Sequence, residues 1–143
     1  MTRIDFYSLA PESRGDRFLL TCRLVERIRA SARRVLIHCP DPEECRHLDR
    51  LLWTFREDSF LPHGLVGQVD PDLTPVLISQ GGSPESEHQV LLNLSLGIPD
   101  FLDRFERLCE VVDHEPQARQ AGRERFRVYR ERGYALDHHQ IRL

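Results

Sequence analysis

The sequence of 143 residues predicts an α/β domain of three layers, Rossmann-like, with a mostly parallel sheet of about five strands covered on both faces. Three observations lead there. Short runs such as Arg34 to Cys39 (RVLIHC), Pro75 to Ser79 (PVLIS) and Gln89 to Leu94 (QVLLNL) have the apolar character of strands buried on both sides. Segments with apolar residues at three- and four-residue spacing are interleaved with them. The length suits one domain spanning residues 1–143, and no linker, internal repeat or low-complexity tract interrupts it.

Taken in order, Arg3 to Leu9 (RIDFYSL) alternates like a first strand, and Pro11 and Gly15 break it. From Asp16 to about Ala32, the residues Phe18, Leu19, Cys22, Val25, Ile28 and Ala32 line one side of a helix. Arg34 to Cys39 follows as a strand. Asp41 opens the next helix with a capping side chain, Pro42 in the first turn, and Glu44 placed to complete a capping box. Cys45, Leu48, Leu52 and Phe55 form its core stripe, with Leu51 at the edge. At 100° per residue Trp53 points about 140° away from that stripe, so it needs another partner. Phe60 to Val66 (FLPHGLV) and a Pro-, Gly- and Asp-rich loop lead to the Pro75–Ser79 strand and a Gly-Gly-Ser-Pro turn. Gln89 to Leu94 is a strand, Asp100 to Arg107 a short helix, and Leu108 to Val112 the final strand. Pro116 opens the last helix and Gly133 closes it, leaving a tail from Tyr134 to Leu143.

Composition removes several functions. All 20 basic side chains counted as Lys or Arg are arginine, which excludes a phosphate-loop lysine, a Schiff-base lysine and a lysine general base. Cys22, Cys39, Cys45 and Cys109 fall in apolar or helical patterns and read as reduced core residues. No run approaches the roughly 18 apolar residues of a membrane span, so a soluble, cytoplasmic protein with no membrane partner is expected. The net charge of −3 disfavours a general nucleic-acid binder. Between Gln117 and Gly133, however, six arginines face only Glu124 and Glu131, a local +4 that leaves −7 elsewhere. The first strand–helix turn, APESRGD, lacks the G-x-G-x-x-G of a dinucleotide site, and HCPDPEE after the second strand has no glycine; no cofactor is expected.

His38, Cys39, Cys45 and His47 carry metal-ligand chemistry, but Cys45 belongs to a core stripe and His47 lies about 200° around the same helix, so no metal site is expected. Cys39 and His38 as nucleophile and base diverge, because adjacent strand residues point to opposite faces. No catalytic residues are assigned. Asp137, His138 and His139 form a small polar cluster in the exposed tail.

The last helix carries the sharper signal. Taking Arg119 as 0°, Arg123 falls at about 40°, Phe126 at −20°, Arg127 at 80° and Arg130 at 20°. Guanidiniums thus surround one aromatic ring, while Ala118, Ala121 and Val128 on the other side are expected to pack on the sheet. On the residues alone this face suits an acidic peptide with a hydrophobic anchor, a solvated basic surface, or phosphate or single-stranded nucleic acid.

The segments FYSL (Phe6 to Leu9), RVLIHC, LDRLLWTF (Leu48 to Phe55), SFLPHGL (Ser59 to Leu65), LLNLS (Leu91 to Ser95), EVVD (Glu110 to Asp113) and RERFRVYRERGY (Arg123 to Tyr134), in this order, resemble the chi subunit of bacterial DNA polymerase III across nearly the whole chain. The resemblance implies a non-catalytic accessory of the clamp-loader complex whose Rossmann-like fold is not a nucleotide site. It implies two partners, the psi subunit of the clamp loader and the acidic C-terminal tail of single-stranded DNA-binding protein, which ends in proline and phenylalanine. Nucleic acid is then met only indirectly. Tail-binding positions map onto Arg123, Phe126 and Arg127, with Arg119 and Arg130 as further candidates. The family often has tyrosine where Phe126 stands and lysine at the neighbouring basic position, and the Pro116–Arg123 segment is shorter than in some relatives, which bears on Arg119. Trp53, Phe60 and Pro62 match the surface where psi, or in some relatives a DinG/XPD-like helicase, docks. The alternatives are a nucleotide- or phosphate-dependent enzyme using the α/β fold and a direct binder of single-stranded DNA.

Overall fold

A computed structural model describes residues 1–58 and 60–143; Ser59, which opens the SFLPHGL segment, lies outside the described residues. The elements run β1 (Arg3–Leu9), α1 (Arg17–Ala30), β2 (Val35–His38), α2 (Pro42–Thr54), β3 (His63–Leu65), β4 (Val76–Ser79), β5 (Val90–Asn93), β6 (Arg107–Val112), α3 (Pro116–Glu131) and β7 (Ala135–Ile141). The strands form one sheet in the order β3-β4-β2-β5-β6-β1-β7, and every neighbouring pair is parallel. One face carries α1 and α2 over Cys22, Val25, Ile37, Leu48 and Leu92. The other carries α3 and the segment around Leu102 and Phe105 over Ile4, Phe6, Leu36 and Leu91. The three-layer α/β class stands, with seven strands among the described residues in place of about five.

Each helix starts on its own carboxylate, a cap that contributes about 1 kcal/mol. Asp16 accepts from Phe18 and Leu19 N–H at 3.1 and 3.0 Å, Asp41 from Glu43 and Glu44 N–H, and Glu115 from Ala118 N–H at 2.7 Å. The capping box expected at Asp41 is half formed, because Glu44 turns to the Arg17 guanidinium at 3.3 Å. In α1 the stripe is broader than expected: Leu20, Thr21 and Leu24 are buried as well, and Ala32 is exposed past the helix end, at φ 58°. In α2 the expected Cys45, Leu48 and Leu52 are buried, with Leu51 and Phe55 packed at the edge.

Three expectations change. The helix expected over Asp100–Arg107 is only a 3-10 turn at Leu102–Arg104, with no side-chain cap. Its backbone serves other partners: Thr2 Oγ1 donates to the carbonyls of Leu102 and Phe105, and the amides of Glu106 and Arg107 join β5 through His88 and Gln89. A three-residue strand, β3, lies within the expected Phe60–Val66 stretch, where Gly64 is required because a Cβ there would sit 2.3 Å from Val69 Cγ1.

The expected tail is strand β7, which closes a β6–α3–β7 crossover alongside β1. It is an edge strand, so its polar side chains hide it from a search for apolar runs. What ties it down is polar. Buried Asp5 of β1 accepts from Arg107 Nε at 2.7 Å and from His139 Nε2 at 3.1 Å, and the His139 and Tyr7 rings stack at 4.8 Å. Burial opposes ionisation of Asp5, but hydrogen bonds from Arg107 and His139 and the charges of Arg107 and Arg3 outweigh it and hold the carboxyl below its ordinary range. No helix is long and apolar enough to cross a membrane among the described residues.

Because the folded-state value of Asp5 is depressed, its contribution is fully present above its ordinary pKa of 3.8 and lost as pH falls through the folded-state value. Asp5→Asn is expected to cost about 1–3 kcal/mol at neutral pH, with the difference from the parent narrowing in acid. Urea unfolding measured from neutral pH downward checks both the size and the narrowing.

Candidate functional site

The site is built on the rotation of α3, which its buried seam sets. Ala118, Gly122, Arg125 and Tyr129 face the sheet, at the i, i+4, i+7, i+11 spacing of one helix stripe. Gly122 is required there, since a Cβ would lie 2.7 Å from Val112 Cγ2 of β6. The face expected to pack, Ala118, Ala121 and Val128, is therefore rotated: only Ala118 is buried, and Ala121 and Val128 are half-buried. The physical reason is that the seam is held by a charge pair, which a search for apolar positions passes over.

Glu110 of β6 is fully buried and Arg125 is 4% exposed. Arg125 Nη2 lies 3.1 Å from Glu110 Oε1, Tyr129 Oη donates to Oε2 at 2.5 Å, and Asn93 Nδ2 donates to both oxygens at 3.0 and 3.1 Å. Arg125 Nη1 also donates to Leu96 O at 2.8 Å. Burial pushes the Glu110 carboxyl above its ordinary range, opposed by the charge of Arg125 and the three hydrogen-bond donors. Sequence reasoning missed this cluster. Its one readable trace is that Arg125 stands apart in angle from the other arginines of the helix while keeping step with Tyr129.

With Arg125 turned inward, the other predicted residues turn outward together. Arg119, Arg123, Phe126, Arg127 and Arg130 all line one groove of about 600 Å³ between α3 and the β1–β7 edge. Its floor is apolar, from Phe6, Leu9, Pro11 and Val112. The Phe126 ring meets Phe6 edge-on at 5.1 Å and is half-buried, so it forms floor rather than a projecting knob. The far wall is Ser8, His138 and Gln140, with His138 Nε2 2.8 Å from Ser8 Oγ. Among the described residues Arg119, Arg123 and Arg130 make no ion pair, whereas Arg127 is bridged to Glu124 and, at 2.8 Å, to Glu131. The groove is thus a set of forked donors over an apolar base.

The second predicted surface lies on α2 and the stretch before β3. Trp53 is 48% and Phe60 72% exposed, with ring centroids 5.7 Å apart. Trp53 rests on buried His63 at 4.3 Å, and the two nitrogens of His63 are held by Leu61 O and Asp49 O at 2.7 and 3.0 Å. Pro62 is half-buried between these residues in sequence. The outward direction read for Trp53 is the one observed. The two rings together form an exposed aromatic patch.

The other candidates are dispersed. Cys39 joins the core under α1 and α2 while His38 meets Phe101 edge-on at 5.3 Å, and His47 packs on Phe18 at 5.0 Å. Burial pushes the thiols of Cys22, Cys39 and Cys109 up to about 12, so they are protonated at neutral pH. Asp137 points to the opposite face from His138, and it is Asp5 that partners His139. A second crevice of about 400 Å³ opens at the carboxyl ends of β2, β5 and β6, where α/β folds commonly bind ligands. Asp41, Glu44 and Glu115 line it together with Arg17 and Arg125, and the α2 and α3 caps already occupy the helix amides there.

Comparison with known proteins agrees along the whole chain. The family model described as DNA polymerase III chi subunit, HolC, matches residues 1–137. The DNA polymerase III subunit chi of Pseudomonas aeruginosa is 39% identical over 141 residues, covering 99% of this chain and 98% of the relative. That of Escherichia coli is 32% identical over 142 residues, covering 96% and 97%, and that of Haemophilus influenzae 30% over 118 residues, covering 82% of each.

Removing one partner of the buried pair leaves the other charge stranded, at a cost of about 3–5 kcal/mol. Glu110→Gln and Arg125→Met are each expected to destabilise on that scale. The double variant is expected to recover part of the loss, which chemical denaturation in a double-mutant cycle reads directly.

Proposed function

We propose that this chain, which belongs to the DNA polymerase III chi subunit family, is a non-catalytic adaptor within that replication complex. One surface takes the acidic C-terminal tail of single-stranded DNA-binding protein, and the other takes the psi subunit of the clamp loader or, in its place, a DinG/XPD-like helicase. The chain itself meets nucleic acid only through that tail.

The convergence of Arg119, Arg123, Arg127 and Arg130 around an apolar floor containing Phe126 carries the reading. Guanidinium forks suit carboxylates, and the floor suits a terminal aromatic side chain. A ligand that is acidic and ends in an aromatic residue uses both. Bare single-stranded DNA would use the charge, but one half-buried ring offers little platform for stacked bases. The enzyme alternative has less support, because in the crevice where a nucleotide would sit Arg17 and Arg125 are already paired with Glu44, Asp113 and Glu110, and Asp41 and Glu115 cap the helix amides that would hold a phosphate.

Sheet order supports the bridging role. β3, beside Trp53 and Phe60, and β7, which walls the groove, are opposite edges of the sheet. Six strand intervals separate them by about 29 Å. Two partners therefore dock without sharing a contact residue.

Calorimetry with a synthetic acidic peptide ending in proline and phenylalanine is expected to give micromolar-range affinity that weakens with salt. Arg123→Ala and Phe126→Ala should each weaken it about tenfold, and Arg127→Ala less, because Glu124 and Glu131 already share that charge. Unchanged binding in both Arg123→Ala and Phe126→Ala, or bare DNA bound as tightly as the peptide, would sink the assignment. In pull-downs, Trp53→Ala should release the clamp-loader partner and Arg123→Ala the DNA-binding protein. Loss of both partners from either single variant would contradict two separate surfaces.

A further inference from the structure

The groove has a side that its arginines do not explain. Its far wall is β7, the outermost strand of the sheet, and among the described residues no strand pairs with its outer edge. Long exposed edges are normally blunted by proline, a bulge, charged side chains or an overlying element. β7 runs seven residues without proline, and its one acidic residue, Asp137, faces away from the groove. The opposite edge, β3, is only three residues long.

Register decides which backbone groups are free. Ile141 O accepts from Ala10 N–H at 2.8 Å, so the N–H and C=O of Ile141 point toward β1. In a parallel ladder these groups alternate in direction along the strand, which directs those of Ala135, Asp137 and His139 toward β1 as well. Those of Leu136, His138 and Gln140 then point out from the edge. The same three residues pair with Ile4, Phe6 and Ser8, so their side chains lie on the α3 face, where His138 and Gln140 line the groove. Free backbone donors and acceptors thus run along the outer side of the groove's far wall, one strand beyond Phe6 on the face that α3 covers.

We propose that the acidic tail binds as an added strand on the outer edge of β7, its backbone pairing with Leu136, His138 and Gln140 and its alternate side chains directed to the arginines of α3. This rests on the tail-binding reading given above and adds the mode of binding to it. Edge pairing fixes the peptide's register through its main chain, and period-two alternation lets every second acidic side chain reach the groove while the others stay in water. The occupant is an extended acidic peptide because α3, with four exposed arginines lining the groove, overlooks that side of the edge.

Two measurements on the intact chain test the mode. In the first, the synthetic acidic peptide is N-methylated at one residue at a time outside its proline. Each methyl removes one main-chain donor, and affinity is expected to fall about three- to tenfold at every second position and little between. In the second, amide hydrogen exchange with and without the unmodified peptide should show new protection at Leu136, His138 and Gln140. Asp137 and His139, already bonded to β1, should change little. A methylation scan without period two, or no gain at those three amides, overturns strand addition while leaving the tail-binding site intact. Failure of the unmodified peptide to bind at all removes both.

Discussion

The ion pair between Glu110 and Arg125 is the interaction on which the rest of the molecule's surface depends. An arginine at the centre of a helix–sheet interface tolerates only one rotation of that helix, because any other leaves a charge buried without its partner, at several kcal/mol. Glu110 stands on a central strand and is hydrogen-bonded on both oxygens by Asn93, Arg125 and Tyr129. The rotation it imposes turns Arg119, Arg123, Arg127 and Arg130 outward on one side and sets Phe126 against Phe6. An apolar seam of the same size would hold α3 as firmly, but with less discrimination between neighbouring rotations.

A common logic links the two candidate surfaces. Each sits at an edge of the parallel sheet, where the layered core ends and a helix face is left without a second neighbour. At the β3 edge, Trp53 and Phe60 present apolar area over a buried, hydrogen-bonded His63. At the β7 edge, the groove presents charge over an apolar floor. The first favours an intimate, desolvated contact. The second favours a salt-sensitive one whose association rate benefits from steering by local positive charge on an otherwise acidic body.

The polar fastening of β7 fits that role. Asp5, His139, Arg107 and Tyr7 anchor the strand from the α1 side, and on the α3 side His138 adds a hydrogen bond with Ser8. Ser8, His138 and Gln140 are left to wall the groove. The carboxyl-end crevice that serves as a ligand site in many α/β folds is here crowded with the helices' own capping carboxylates.

Much was legible in the residues themselves. Period-two and apolar runs located β1, β2, β4, β5 and β6, apolar spacing located α1, the Asp41 cap α2 and the Pro116 and Gly133 bounds α3, and angular spacing placed Trp53 outward and gathered four arginines around Phe126. The ordered set of motifs identified the family. These features are local, set by side-chain chemistry within a few residues of each other. What only the tertiary structure decided is non-local. The Asp100–Arg107 segment gave its backbone to strands on either side of it, and the polar stretch after Gly133 became an edge strand because Asp5, far away in sequence, holds it. The packing face of α3 was set by Glu110 and by the space that Gly122 leaves for Val112. Hydrophobic pattern specifies which residues leave water. It cannot specify where a buried charge finds its partner, because that pairing exists only after the sheet has brought distant strands together.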